Sequence, residues 1–254
     1  MGAEINLIKK ILNNIFETQG TCLSNECRNI DWDKLLLISL EQQIFPIIFS
    51  YVRHYVPSAY KLIYAMSSIN HKRAVDKAIE QSAELQGKFF AMSKRFAFIK
   101  GFIFSQYVYN DVYMRQFADI DILVHGRDLI DICHAMESLG YEDDLISKQK
   151  NARMHISDFA KNSHYLSEHE KKFISLDKKT VDIKKTFAEC NVFEIYEFIS
   201  GKTTIDVHNC SFSTLNVHDT FIVLLENTYT NFFSHYGIEN DFTLRDLLDF
   251  YVFS

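Results

Sequence analysis

Ala118-Asp119-Ile120-Asp121-Ile122-Leu123-Val124 is the stretch on which the reading of this chain turns. On a β-strand, residues two apart share a face. Asp119 and Asp121 therefore project together, while Ile120 and Ile122 enter the opposite layer. Two ionised carboxylates so close repel each other, and a cation offsets that cost. Both acids sit inside an otherwise apolar run, an expensive place for charge that no ligand or partner compensates. Hard oxygen donors select Mg²⁺ or Mn²⁺ over zinc. A carboxylate pair holding two such ions roughly 3.5–4 Å apart is an arrangement used for phosphoryl chemistry.

Working outward, Ala97-Phe98-Ile99-Lys100-Gly101 is a short apolar run that ends in a glycine. A glycine there lets backbone N–H groups approach a phosphate, and a helix over Phe102 to Tyr109 would offer its N-terminus. Arg115 stands four residues before Asp119 and is a candidate bidentate phosphate ligand. On the other side, His125-Gly126 bounds the strand, and Asp128 is placed to cap a helix running through Leu129, Ile132, Met136 and Leu139 until Gly140. Further on, Thr180-Val181-Asp182-Ile183 sets an acid between β-branched residues and reads as a strand presenting a third carboxylate. Such an acid completes metal coordination and receives a nucleophile's proton. Asp206, in Asp206-Val207-His208, is the alternative third acid.

The flanks read differently. Ile5, Ile8, Ile11, Leu12, Ile15 and Phe16 recur at helical spacing, with Gly20 as a stop. Asp31-Trp32-Asp33 opens a second helix, Pro46 suits the first turn of a third, and the span from Ser58 to Arg95 suits one long helix or two stacked ones. Arg73, Lys77, Glu80, Gln81 and Glu84 mark its solvated side. Beyond Gly140, strand-like runs occur at Met154 to Phe159, His164 to Glu168, Lys172 to Leu176 and Thr180 to Ile183. Val192 to Ile199 is amphipathic, Thr203 to His208 reads as a strand, Asn216 or Asp219 caps a helix reaching Phe233, and Asp241 to Phe253 forms a last helix. The expected fold is α+β: a mixed-sheet catalytic core over 97–190, flanked by a helical region over 1–96 and a mainly helical region over 191–254.

Composition narrows the function classes. The chain has 254 residues, a net charge of -6, 47% hydrophobic and 24% charged residues. That is ordinary for a globular protein and excludes a disordered chain or a disulfide scaffold. The acidic balance argues against long nucleic acid as a partner, since counterion release needs a basic surface. The five cysteines contain no Cys-x-x-Cys pair, and no run approaches the roughly eighteen apolar residues of a membrane span. The chain reads as cytoplasmic, with no membrane partner. His155, His164, His169 and Arg153 are weaker candidates for the site. Lys171-Lys172, Lys178-Lys179 and Lys184-Lys185 form a basic stretch that reads as a solvated face, or as an attractor for an anionic nucleotide. Phe102 and Tyr113 are candidates to stack on a base.

Over most of its length the chain resembles the uncharacterised nucleotidyltransferase family of the polymerase β-like nucleotidyltransferase superfamily. The resemblance runs from Ile30-Asp31-Trp32-Asp33-Lys34-Leu35-Leu36 and Phe45-Pro46-Ile47-Ile48, through Lys100-Gly101 and Arg115 with Asp119-Ile120-Asp121-Ile122-Leu123-Val124. It continues in Gly140-Tyr141 and Leu244-Arg245-Asp246-Leu247-Leu248-Asp249. It implies Mg²⁺- or Mn²⁺-dependent transfer of a nucleotide from an NTP such as ATP. Asp119, Asp121 and Asp182 would then act as metal-binding and catalytic acids, and Lys100, Gly101, Arg115 and Lys184 would hold the triphosphate. The family follows its third acid with a histidine two residues later, and here Lys184 stands at that position. The acceptor reads as a small molecule, peptide or protein. Two other functions fit Asp-x-Asp on a strand: a glycosyltransferase using a nucleotide-sugar, and a non-catalytic nucleotide-binding module.

Overall fold

The computed structural model describes residues 2–17, 23–143, 170–174, 180–184, 201–233 and 243–253. Gly20, Arg153, His155, His164, His169, Lys178, Lys179, Lys185 and the runs over 154–159, 164–168 and 192–199 lie outside them. By their internal contacts the residues fall into two compact units whose segments interleave along the chain. One is Met1–Val75, Ser105–Gln116 and Thr228–Ser254; the other is Asp76–Phe104 and Phe117–Asn227.

The first unit is helical. Helix α1 (Ala3–Glu17), α2 (Trp32–Glu41), α3 (Phe45–Val52) and the first half of α4 (Lys61–Ala91) enclose an apolar core that includes Leu7, Ile11, Leu35, Phe45, Ile48 and Tyr64. The starts are encoded locally. Asp31 caps α2 by accepting from the Lys34 N–H at 3.1 Å, and Pro46 occupies the first turn of α3, where its missing N–H costs nothing. Tyr64 lies edge-on to Trp32 and donates its hydroxyl to the Trp32 carbonyl at 2.8 Å, so this buried polar tip is satisfied. The last helix of the chain is numbered α8 (Leu244–Phe253). It opens at Thr243, whose N–H and hydroxyl both donate to Asp246 Oδ2 at 3.0 Å. This is the reciprocal form of a cap, in which an acid three residues on reaches back to the helix start.

The second unit carries a seven-stranded mixed sheet. Its strands are β1 (Phe96–Ile99), β2 (Ile120–Val124), β3 (Glu142–Asp143), β4 (Glu170–Ile174), β5 (Val181–Lys184), β6 (Thr203–Val207) and β7 (Cys210–Thr214), in the order β3-β4-β5-β2-β1-β7-β6. Strand β2 lies at the centre, antiparallel to β1 and parallel to β5. Helix α5 (Gly101–Tyr109) starts at the end of β1, α6 (Leu129–Ser138) follows β2, and α7 (Val217–Phe233) follows β7. One face of β1 presents Phe96 and Phe98, which pack with Phe89, Phe90, Phe102 and Phe212. Buried Gln86 stitches α4 to the sheet: its amide donates to the Ser211 carbonyl and accepts from the Ser213 N–H, both at 2.8 Å.

Four local expectations are corrected. Asp128 makes no side-chain cap on α6; its carboxylate accepts from Arg95 Nε at 2.9 Å. Burial alone would raise the Asp128 pKa, but the Arg95 guanidinium and N–H outweigh it and hold the carboxyl below its ordinary range. Gln81 belongs to the buried side of α4, where its amide donates to the Tyr141 hydroxyl. The strand expected from Thr203 to His208 stops at Val207: His208, at φ 53°, turns the chain into β7 with Val207 opposite Cys210. A positive φ is what a two-residue hairpin loop requires. Asp119 lies in the bend before β2 rather than within it.

Candidate functional site

The register of the central strands decides which side chains meet. In the parallel pair β2–β5, Asp121 is opposite Asp182 and Leu123 is opposite Lys184. In β1–β2, Ile99 is opposite Asp121. In β4–β5, Lys172 is opposite Asp182. Residues directly opposite each other share a face, so Lys172, Asp182, Asp121 and Ile99 form one row across four strands. Phe96 and Phe98 point to the other face. The row puts two carboxylates side by side at the middle of the sheet, both buried, with Asp121 at 7% and Asp182 at 5% exposure.

Buried charge demands compensation, and three ammonium groups supply it. Lys184 Nζ is 3.3 Å from Asp121 Oδ1, Lys100 Nζ is 3.8 Å from the same oxygen, and Lys172 Nζ is 3.9 Å from Asp182 Oδ1. Lys184 reaches Asp121 diagonally: it follows Asp182 by two residues, stands on the same face, and extends across to the neighbouring strand. Lys100 is half-buried, and desolvation pushes its ammonium below the ordinary lysine range; Asp121 opposes that shift, while the nearby Lys184 ammonium adds to it.

The turn from β1 into α5 is built from two successive left-handed residues, Lys100 at φ 60° and Gly101 at φ 47°. A lysine in that conformation is uncommon, and strain of this kind is tolerated where the surroundings fix it. The Lys100 carbonyl accepts from Ile103 and Phe104, so it is the first acceptor of the α5 ladder, and the N–H groups of Gly101 and Phe102 come before the first helical donor. A Cβ on Gly101 would come 3.4 Å from the Phe117 ring and 3.7 Å from the Asp119 carbonyl. Glycine therefore permits both the backbone angle and the close packing beside the Asp119 bend.

The sequence candidates separate accordingly. Lys100, Gly101, Asp119, Asp121, Asp182 and Lys184 lie in the sheet unit, and Asp121, Asp182, Lys100 and Lys184 come together. Asp206 is exposed on β6, three strands from β2, and accepts from Ser211 Oγ at 2.7 Å. Phe102 is buried among Phe98, Phe117 and Phe212 rather than offered to a base. Tyr113 belongs to the helical unit, its carbonyl 2.7 Å from His71 Nε2.

Arg115, read from the sequence as a phosphate ligand, is also in the helical unit. It is 4% exposed, and its Nε donates to Asp249 Oδ2 at 2.6 Å. Burial disfavours its charge, and the Asp249 carboxylate outweighs that and raises its pKa. The arginine is thus committed to a buried ion pair. Lys172 belongs to the basic run read from the sequence as a solvated face or an attractor for an anionic nucleotide, and the register with Asp182 is what singles it out.

Among the described residues, no group of three His, Cys, Asp or Glu side chains gathers closely enough to hold a metal ion. The chemistry of the central pair nonetheless fits a hard divalent cation: two adjacent carboxylates, oxygen donors only, with Asp119 two positions before Asp121. No helix among the described residues is long and apolar enough to cross a membrane.

The family model described as "Uncharacterised nucleotidyltransferase" matches residues 28–254. No curated protein matches the chain.

Proposed function

From its membership of the uncharacterised nucleotidyltransferase family, we propose that this chain moves an NMP group from an NTP to an acceptor, in a divalent-metal-dependent reaction that releases pyrophosphate. The observation that carries the reading is the register match of Asp121 with Asp182 on adjacent parallel strands. Two buried carboxylates held side by side fit no purely structural need of a sheet centre.

Asp121 and Asp182, joined by Asp119, would hold Mg²⁺ or Mn²⁺. When bound, the ion neutralises charge on the phosphates and lowers the pKa of an attacking hydroxyl. The chain's own groups do the remaining work. Lys100 and Lys184 bring positive charge to the same carboxylate, Asp121, at the middle of the sheet and pair with the triphosphate. The N–H groups at Gly101 meet phosphate oxygens at the start of α5. Asp182 accepts the proton from the acceptor's nucleophile as it attacks the α-phosphate in line. Rate enhancement then comes mainly from positioning and charge neutralisation. This reading gives Arg115 no step, because its Nε is held by Asp249.

The acceptor is a small molecule, peptide or protein; the net charge of -6 disfavours long nucleic acid. A second reading, a nucleotide-binding module without turnover, is favoured by the lysines that already face both carboxylates. The test is the double variant Asp119→Ala with Asp121→Ala. It should lose metal-dependent transfer while keeping its fold by circular dichroism. Wild-type transfer by that variant would remove the carboxylates from the mechanism. Nucleotide binding by the wild type without turnover on any acceptor would favour the module.

A further inference from the structure

The charge arrangement on the carboxylate face points to a property of the metal site itself, and it rests on the reading just proposed. Asp121 Oδ1 faces two ammonium groups at 3.3 and 3.8 Å. Both are sheltered: the side chains of Lys184 and Lys100 are 17% and 13% exposed, and that of Asp121 is 8% exposed. Lys172, the cation at Asp182, is by contrast 48% exposed, so water and salt screen it and it yields readily. Lys100, Lys172 and Lys184 bring three positive charges to the face that holds Asp121 and Asp182, and the Glu226 carboxylate lies near enough to act on Lys100. Much of the charge on Asp121 is therefore already offset before any ion arrives. One divalent cation adds two positive charges to the face, and a second would add two more in a poorly screened place.

The two sheltered lysines are not equivalent. Lys100 is fixed in the left-handed turn that opens α5. Lys184 is on the same strand and face as Asp182, and it spans to Asp121 on the next strand. It thus links the two carboxylates from one side.

We propose that Lys184 is a tethered cation at Asp121, so that the carboxylate pair takes up one divalent cation per chain rather than two. Its ammonium supplies at Asp121 the positive charge that a second ion would bring. The proposal makes a residue of this chain, not the ion supply, set the stoichiometry of the site.

The experiment is a Mn²⁺ titration of the full-length chain without nucleotide, counting free ion by electron paramagnetic resonance. Wild type and Lys184→Arg, which keeps the charge, should bind one ion. Lys184→Gln should bind two. In parallel, metal-free Lys184→Gln should melt below wild type, because Asp121 loses its nearest cation, and Mn²⁺ should raise its melting temperature more than that of wild type. If metal-free Lys184→Gln does not fold, the variant is prepared in Mn²⁺ and its bound ions are counted by native mass spectrometry, with two expected. Two ions on wild type would overturn the role of Lys184 and leave the metal-dependent reading standing. One ion on Lys184→Gln would overturn it equally. No ion on either protein would remove the metal from the site altogether.

Discussion

Removing Asp249 separates two accounts of Arg115. The ion pair is buried at both ends, with Arg115 at 4% and Asp249 at 0% side-chain exposure and 2.6 Å between Nε and Oδ2. The Tyr109 hydroxyl also donates to Asp249, at 2.9 Å. Burial and that carboxylate push the tyrosine hydroxyl well above its ordinary pKa, so it stays a donor. Asp249→Ala leaves a guanidinium without its carboxylate in a low-dielectric site, a change that costs about 3–5 kcal/mol. The Tyr109 hydroxyl loses its acceptor as well, for about 1 kcal/mol more. For a cooperative unit of this size the sum corresponds to a fall in melting temperature of about 15 °C or more. Scanning calorimetry reads it directly. The double variant Arg115→Met with Asp249→Leu should recover more than half of the loss, because apolar replacement of a whole buried pair is often neutral. A melting temperature for Asp249→Ala within about 2 °C of wild type would refute the structural role. Arg115→Met with unchanged stability and lost nucleotide affinity would restore the arginine to the phosphate site.

Three other outcomes are expected. Gly101→Ala forces an L-residue to φ 47° with its Cβ 3.4 Å from Phe117; it should cost about 1–2 kcal/mol in urea denaturation and weaken nucleotide binding. Burial would raise the Asp246 pKa, but the Arg245 guanidinium and the Thr243 donors outweigh it and hold the carboxyl below its ordinary range. Its stabilisation is therefore complete above the ordinary carboxylate pKa of about 4 and is lost as pH falls through the depressed value. Asp246→Asn should accordingly be less stable than wild type at neutral pH, and the two melting curves should converge on acidification. Asp206→Asn should leave transfer unchanged where Asp182→Asn abolishes it, because Asp206 is exposed and three strands from Asp121; equal losses would reopen the choice of third acid.

What the sequence revealed follows how local the cause is. Strand β2, the helix after Gly101 and the caps at Asp31 and Asn216 rest on neighbours a few residues apart, and alternation or capping chemistry shows them. Asn216 accepts from the Asp219 N–H at 3.0 Å, and of the two candidates it is the cap. Asp182 was legible as a strand acid from its β-branched neighbours, although its register with Asp121 was not. The ion pair of Arg115 was not legible because its partner is 134 residues away, and spacing to Asp119 suggested a nearer task. Gln81 looked solvated because the Tyr141 hydroxyl that satisfies it is 60 residues on. Strand β7 was missed because Cys210-Ser211-Phe212-Ser213-Thr214 mixes small polar residues with one buried aromatic, which gives little alternation. The row from Lys172 to Ile99 depends on four strands finding one register, and no single segment encodes that.

The central claim is that an NTP's α-phosphate ends on an acceptor. Incubating the chain with Mg²⁺ or Mn²⁺, a cell extract and NTP labelled either at the α- or at the γ-phosphate tests it most directly. The account predicts that α-label joins an acceptor fraction, that γ-label leaves as pyrophosphate, and that Asp121→Asn does neither. Transfer of γ-label to the acceptor, or α-label transfer undiminished in Asp121→Asn, would contradict it.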